Sequence, residues 1–232
     1  MSKPTRLDEA WGQRPGESSE AWFRRTFGPM PAPTDVGETA DSKPVVVASS
    51  RLRRASASLE RSVPSTYRWC HLDAPELPGR VYGPAIRIGK EACHEARVCL
   101  MGASRAGKTS LAVAMLRAWV EKHECGAVFV AAHKLGLARL QHPAGHGEAE
   151  LVETAMRASL VLIDDLGSER DFPSNAIPDV IFERHAQDLP TWVTTGLTRE
   201  PLVARYGAGV VARLFERARV IHVGAKTADK PR

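Results

Sequence analysis

From about residue 67 onward, short apolar runs alternate with longer stretches in which apolar residues recur at helical spacing. The runs predict β-strands at 97–101, 127–132, 159–164, 191–195 and 219–223. The periodic stretches predict helices at 108–123, 149–157, 176–187, 199–205 and 208–216. In the first of these helices Leu111, Met115, Leu116, Trp119 and Val120 carry the pattern. Continuously apolar strands separated by helices point to an α/β fold: a five-stranded parallel sheet covered on both faces, in three layers. The span from Gly136 to Gly147 holds glycine, proline and histidine and is read as an exposed loop. No internal repeat interrupts this order.

Residues 1–61 read differently. Proline, serine, glutamate and arginine dominate, and Pro29, Pro31 and Pro33 interrupt any helix. That composition predicts a largely flexible basic arm ahead of a core at 62–232. Within the arm, Trp22, Phe23 and Phe27 can share one face of a short amphipathic helix closed by Gly28. Such a helix suits docking on a partner protein or folding back on the core. Arg51, Arg53, Arg54 and Arg61 form a basic stretch, read as a solvated linker or a phosphate contact.

Composition narrows the class. The 232 residues suffice for one α/β core with an appendage, and 43% hydrophobic with 25% charged residues is ordinary for a soluble protein. No apolar run approaches the ~20 residues of a membrane helix, and the N-terminus lacks a signal-peptide stretch, so a cytoplasmic protein without a membrane partner is expected. Cys70, Cys93, Cys99 and Cys125 form no C-x-x-C pair and read as reduced thiols. His142 and His146 read as solvated loop residues. The net charge of +5 favours a polyanionic partner without establishing one.

The chemistry is concentrated at Gly102-Ala103-Ser104-Arg105-Ala106-Gly107-Lys108-Thr109, a complete G-x-x-x-x-G-K-T loop between a predicted strand and a predicted helix. Four fixed positions arise by chance in roughly one chain in a hundred, and the strand–loop–helix context lowers that further. Glycines let backbone N–H groups turn toward phosphate oxygens at a helix N-terminus. Lys108 is placed for the β- and γ-phosphates, Thr109 for Mg²⁺, and the cradle extends to Ser110. These features imply a nucleoside triphosphate with Mg²⁺ as cofactors. A second element is the apolar run Leu160-Val161-Leu162-Ile163 ending in Asp164 and Asp165. Asp164 sits where a carboxylate supports the Mg²⁺ shell, and Asp165 where one orients or deprotonates water.

Asp164-Asp165-Leu166-Gly167, Val63-Pro64-Ser65-Thr66-Tyr67-Arg68-Trp69, Phe182-Glu183-Arg184-His185, Arg205-Tyr206-Gly207 and Ala212-Arg213-Leu214 together resemble AAA+ ATPases of the DnaC/IstB type, over roughly residues 62–224. These are helicase loaders and transposition helpers. The resemblance implies ATP as the nucleoside triphosphate, a phosphate-loop AAA+ core and a polar side chain, Thr194 or Thr195, near the γ-phosphate, with Thr195 the catalytic candidate. It implies that Arg213 is an arginine finger acting on a neighbouring subunit, and hence a nucleotide-dependent homo-oligomer. Single-stranded DNA and a replicative helicase or a transposase are the implied partners.

Three features depart from the family. Arg105 stands where its loops usually carry glycine. Gly196 replaces the asparagine common at the end of the fourth strand, which implies slower hydrolysis. The segment after the last predicted strand is too short for a helical lid, leaving Arg232 as the candidate second sensor. An ATP-dependent helicase loader is the leading expectation, ahead of a transposase helper and of a nucleotide-gated binding module with little turnover. A small-molecule kinase fits the acidic strand and Arg213 less well.

Overall fold

The computed structural model describes residues 49–169 and 175–224. The aromatic segment Trp22–Phe27 and Arg232 lie outside the described residues. Five strands form one parallel sheet: β1 (Arg97–Met101), β2 (Ala127–Ala131), β3 (Leu160–Leu166), β4 (Thr191–Thr195) and β5 (Arg219–His222). Their order across the sheet is β2-β3-β4-β1-β5.

Alternation along the strands builds two cores. Val98, Leu100, Leu160, Leu162 and Trp192 face one layer, where they pack with helices α1 (Ser50–Ser62), α3 (Gly83–Ala92) and α4 (Lys108–His123). Cys99, Val161, Ile163 and Val193 face the other. There they meet α5 (Ala132–Gln141), α6 (Glu150–Arg157), α7 (Ala176–Ala186), α8 (Arg199–Tyr206) and α9 (Ala208–Phe215). A strand buried on both faces has no polar side to show, which is why these segments read as unbroken apolar runs. The five strands and five helices expected from periodicity are present, with ends shifted by at most two residues.

Three segments depart from expectation. The Arg51–Arg61 stretch is helical, not a linker. Ser49 caps α1 by accepting from the Leu52 N–H at 3.0 Å. Ala55 and Leu59 are buried, and Arg51, Arg53, Arg54 and Arg61 point to solvent. The arginines dominate the composition, but the apolar stripe between them sets the structure. At the end of α1, the Ser62 hydroxyl accepts from the Phe129 N–H at 3.1 Å, satisfying a donor on the edge strand β2. Next, α5 occupies the first half of the expected loop from Gly136 to Gly147. Burial of Leu135 outweighs the weak helix propensity of Gly136. Last, residues 65–92 contain a 3₁₀ turn (Ser65–Tyr67), the short α2 (Leu77–Arg80) and α3. Pro84 in the first turn of α3 marks its start.

Cys70, Cys93 and Cys99 are buried free thiols and Cys125 is an exposed one. Among the described residues no group of three or more metal-ligating side chains forms, and no helix is long and apolar enough to cross a membrane.

Candidate functional site at the phosphate loop

The loop between β1 and α4 leaves the carboxyl end of a central strand and enters a 16-residue helix. Gly107 is the hinge. Its φ of +89° is a left-handed conformation, and a Cβ there would lie 2.4 Å from the Arg80 carbonyl oxygen. The first N–H groups of α4 therefore open onto a cavity of about 520 Å³. Ser104, Arg105, Gly107, Lys108, Thr109 and Ser110 line one wall, and Asp164 and Asp165 line another. Tyr67, Gly79 and Arg80 also line it, from the segment ahead of β1. Tyr67 lies in the quoted Val63–Trp69 motif, but nothing in the sequence pattern marked Gly79 or Arg80.

Lys108 is nearly buried, and its ammonium donates to the carbonyls of Gly102 and Ala103, both at 2.9 Å. Burial lowers its pKa, against the opposing pull of Asp165 and Asp164. Asp164 is 8% exposed. Its Oδ1 accepts from the hydroxyls of Thr109 at 2.9 Å and Thr194 at 2.7 Å. Burial raises its pKa, and the two hydroxyl bonds work in the other direction. Thr109 and Asp164 come from segments 55 residues apart, yet they put two hard oxygen donors side by side. Such a donor set suits Mg²⁺.

Asp165 is exposed on the cavity and adopts φ +61°. The β3–β4 register explains why. Ile163 pairs with Val193, but Leu166 rather than Asp165 pairs with Thr195, so Asp164 and Asp165 share the space opposite Thr194. The bulge turns Asp165 outward, and its N–H donates to the Thr194 hydroxyl at 2.9 Å. Thr194 thus touches both acidic residues. Thr195 does not reach the cavity: its hydroxyl donates to the Leu166 carbonyl at 2.7 Å and accepts from the Leu197 N–H at 3.0 Å. The bulge, invisible in the residue pattern, sets the Thr194 hydroxyl, not that of Thr195, against the two acidic residues.

Arg213, in the last turn of α9, is not among the residues lining the cavity. Its guanidinium lies 4.7 Å from the centroid of the half-exposed Phe182 ring and donates to the Gly209 carbonyl at 3.0 Å. Action on this chain's own phosphate loop is therefore not built into the fold. Arg105 holds φ +64° at the cavity rim. A non-glycine residue in that region costs about 1–2 kcal/mol, offset in part by the smaller entropy loss of a non-glycine residue on folding. Arg105→Gly is expected to raise stability by up to about 1 kcal/mol, which is about 2–4 °C in the midpoint of thermal unfolding. A lower midpoint would contradict this reading.

No protein-family model and no curated protein sequence matches the chain. Solved structures do. A crystal structure of the DnaC helicase loader superposes with a TM-score of 0.59 at 23% identity, covering 69% of this chain and 100% of that one. A crystal structure of DnaI gives 0.51 at 20% identity, covering 61% and 84%. The replication initiator DnaA bound to AMPPCP and single-stranded DNA gives 0.53 at 16% identity, covering 70% and 51%. The strand order and these superpositions establish that the chain has the three-layer α/β fold of the DnaC helicase loader and DnaI.

Proposed function

We propose that the chain binds and hydrolyses ATP with Mg²⁺ in the phosphate-loop cavity, and that it uses this cycle to load a replicative helicase onto single-stranded DNA. The observation that carries the reading is the convergence of Lys108, Thr109, Asp164 and Asp165 on one cavity at a helix N-terminus. The residues divide the work by position. Loop N–H groups from Gly102 to Ser110 cradle phosphate oxygens, and Lys108 leaves its two carbonyl partners for the β- and γ-phosphates. Thr109 and Asp164 would hold Mg²⁺, which when bound would neutralise charge on the phosphates. Asp165, exposed and fixed by the bulge, accepts a proton from the attacking water, and Thr194 holds the two acids in place. Arg213 completes the site of a neighbouring copy, making a homo-oligomer the working form. Basic side chains grip the DNA backbone, so affinity falls linearly with salt on a log–log scale. The setting is cytoplasmic.

A nucleotide-gated module with slow turnover is the second reading, favoured by the bare backbone at Gly196. A transposase in place of the helicase changes the client and leaves the engine intact. Calorimetric titration with ATP and ADP, together with phosphate release with and without single-stranded DNA, tests the proposal. Lys108→Ala is expected to weaken ATP binding at least about tenfold. Asp165→Asn is expected to bind ATP and lose about 10²-fold in turnover. Asp165→Asn turning over at the native rate would remove its assigned role. Affinity capture with a non-hydrolysable ATP analogue is expected to recover a replicative helicase, and recovery of a transposase would change the client.

A further inference from the structure

Glu169 lies outside the cavity and outside every role assigned above, yet it is one of the most heavily bonded acids in the fold. Its side chain is 10% exposed. One carboxylate oxygen accepts from the Gly167 N–H at 2.9 Å. The other accepts from the Arg205 Nε at 3.0 Å and from the Tyr206 hydroxyl. Arg205 also donates to the Glu169 backbone carbonyl. Burial, followed by the bond to Glu169, pushes the Tyr206 phenol well above its ordinary range and keeps it a donor.

The two ends of this clasp belong to different parts of the site. Gly167 is two residues past Asp165. The intervening turn is closed by the Ser168 N–H and hydroxyl, which donate to the Asp165 carbonyl at 3.1 and 2.7 Å. The position of the Asp165 turn is therefore tied through Gly167 to Glu169. Arg205 and Tyr206 form the last turn of α8, and Gly207 alone separates α8 from α9, the helix that carries Arg213. Leu202, Val210 and Val211 bury the α8–α9 corner against Leu166 in one cluster, so it moves as a packed unit.

The geometry points to Glu169 as a positioning residue that couples the acidic turn to the α8–α9 corner, so that nucleotide occupancy is read out at the surface where Arg213 stands. This rests on the proposal that the cavity binds ATP. A bidentate carboxylate suits the task because both bonds are partly shielded from water and one donor is a guanidinium, so neither end releases cheaply.

Hydrogen exchange over residues 197–213, with and without a non-hydrolysable ATP analogue, measures the coupling. The native chain is expected to show slower exchange there when the analogue is bound. Glu169→Gln is expected to bind the analogue within about threefold of native affinity, since it keeps the side-chain shape, and to lose the response. Tyr206→Phe, a milder change, is expected to reduce the response by about half, and it carries the test if Glu169→Gln does not fold. A purely structural role would lower stability and leave the analogue-dependent difference intact. Retention of that difference in both variants, or its absence in a native chain that binds the analogue, overturns the coupling alone. A native chain that binds no analogue overturns the ATP reading and the coupling with it.

Discussion

Replacing Arg184 with leucine is expected to destabilise the protein by about 3–5 kcal/mol, although Arg184 is far from the chemistry. Its side chain is fully buried in α7 and has no carboxylate among its hydrogen-bond partners. One terminal nitrogen donates to the carbonyls of Ala155, Met156 and Ala158 at 2.8, 3.1 and 2.7 Å, at the C-terminal end of α6. The other donates to the Pro190 carbonyl at 2.5 Å, and Nε donates to the Thr191 hydroxyl at 3.0 Å. The guanidinium thus caps one helix and pins the entry of β4. The negative end of the α6 dipole helps to hold its charge. Burial lowers its pKa to about 10, so it stays protonated near neutral pH. Leucine fills much of the volume but strands the carbonyls of the last turn of α6 and of Pro190 without donors. The midpoint of thermal unfolding is expected to fall by about 6–20 °C. Arg184→Lys, with three donors on one nitrogen in place of a planar fork, is expected to fall between leucine and the native residue. A leucine variant that melts within 2 °C of the native chain would show that the buried charge costs the fold as much as its bonds return.

What was legible in the residue pattern follows from the range of the interactions involved. Lys108 and Thr109 were readable because the loop, the strand before it and the helix after it are contiguous, so spacing alone encodes the geometry. Asp164 and Asp165 were readable because an apolar run ending in acids marks where a buried strand surfaces. Arg184 appeared only within a resembling segment, and its five bonds depend on where α6 and β4 end in space. Arg80 reaches the cavity through packing of a short helix with no periodicity to announce it. The choice between Thr194 and Thr195 turns on a one-residue bulge in the neighbouring strand. Strand alternation cannot reveal it, because β4 is buried on both faces. Glu169 and Tyr206 are 37 residues apart, and only the folded chain brings them together.

Two glycines at adjacent strand ends are expected to respond in opposite ways, and the contrast separates fold from turnover. Gly102 ends β1 beside the chain leaving β5, where the Val223 N–H donates to the Met101 carbonyl at 2.7 Å. A Cβ on Gly102 would stand 2.0 Å from the Val223 carbonyl oxygen, a backbone atom that cannot rotate away. Gly102→Ala must part β5 from β1 or displace the phosphate loop. It is expected to cost at least about 3 kcal/mol, about 6 °C or more in the unfolding midpoint, and to lose ATP binding. Gly196 lies across the same junction, since the Gly102 N–H donates to the Thr195 carbonyl at 3.3 Å. There an added Cβ meets only the Gly102 carbonyl oxygen, at an ordinary 3.8 Å. Gly196→Asn therefore fits, with its amide at the exposed end of β4, one residue past the threonine pair. An added donor that stabilises developing charge is worth about 10²–10³-fold where it is fully aligned. Gly196→Asn is expected to recover at least about tenfold of that in phosphate release, with ATP affinity unchanged. Gly196→Ala, which fills the same space without the amide, is expected to leave turnover and stability near native values. A rate gain shared by alanine and asparagine would assign the effect to backbone stiffening. No gain in either would leave the bare backbone at Gly196 without a part in slow turnover.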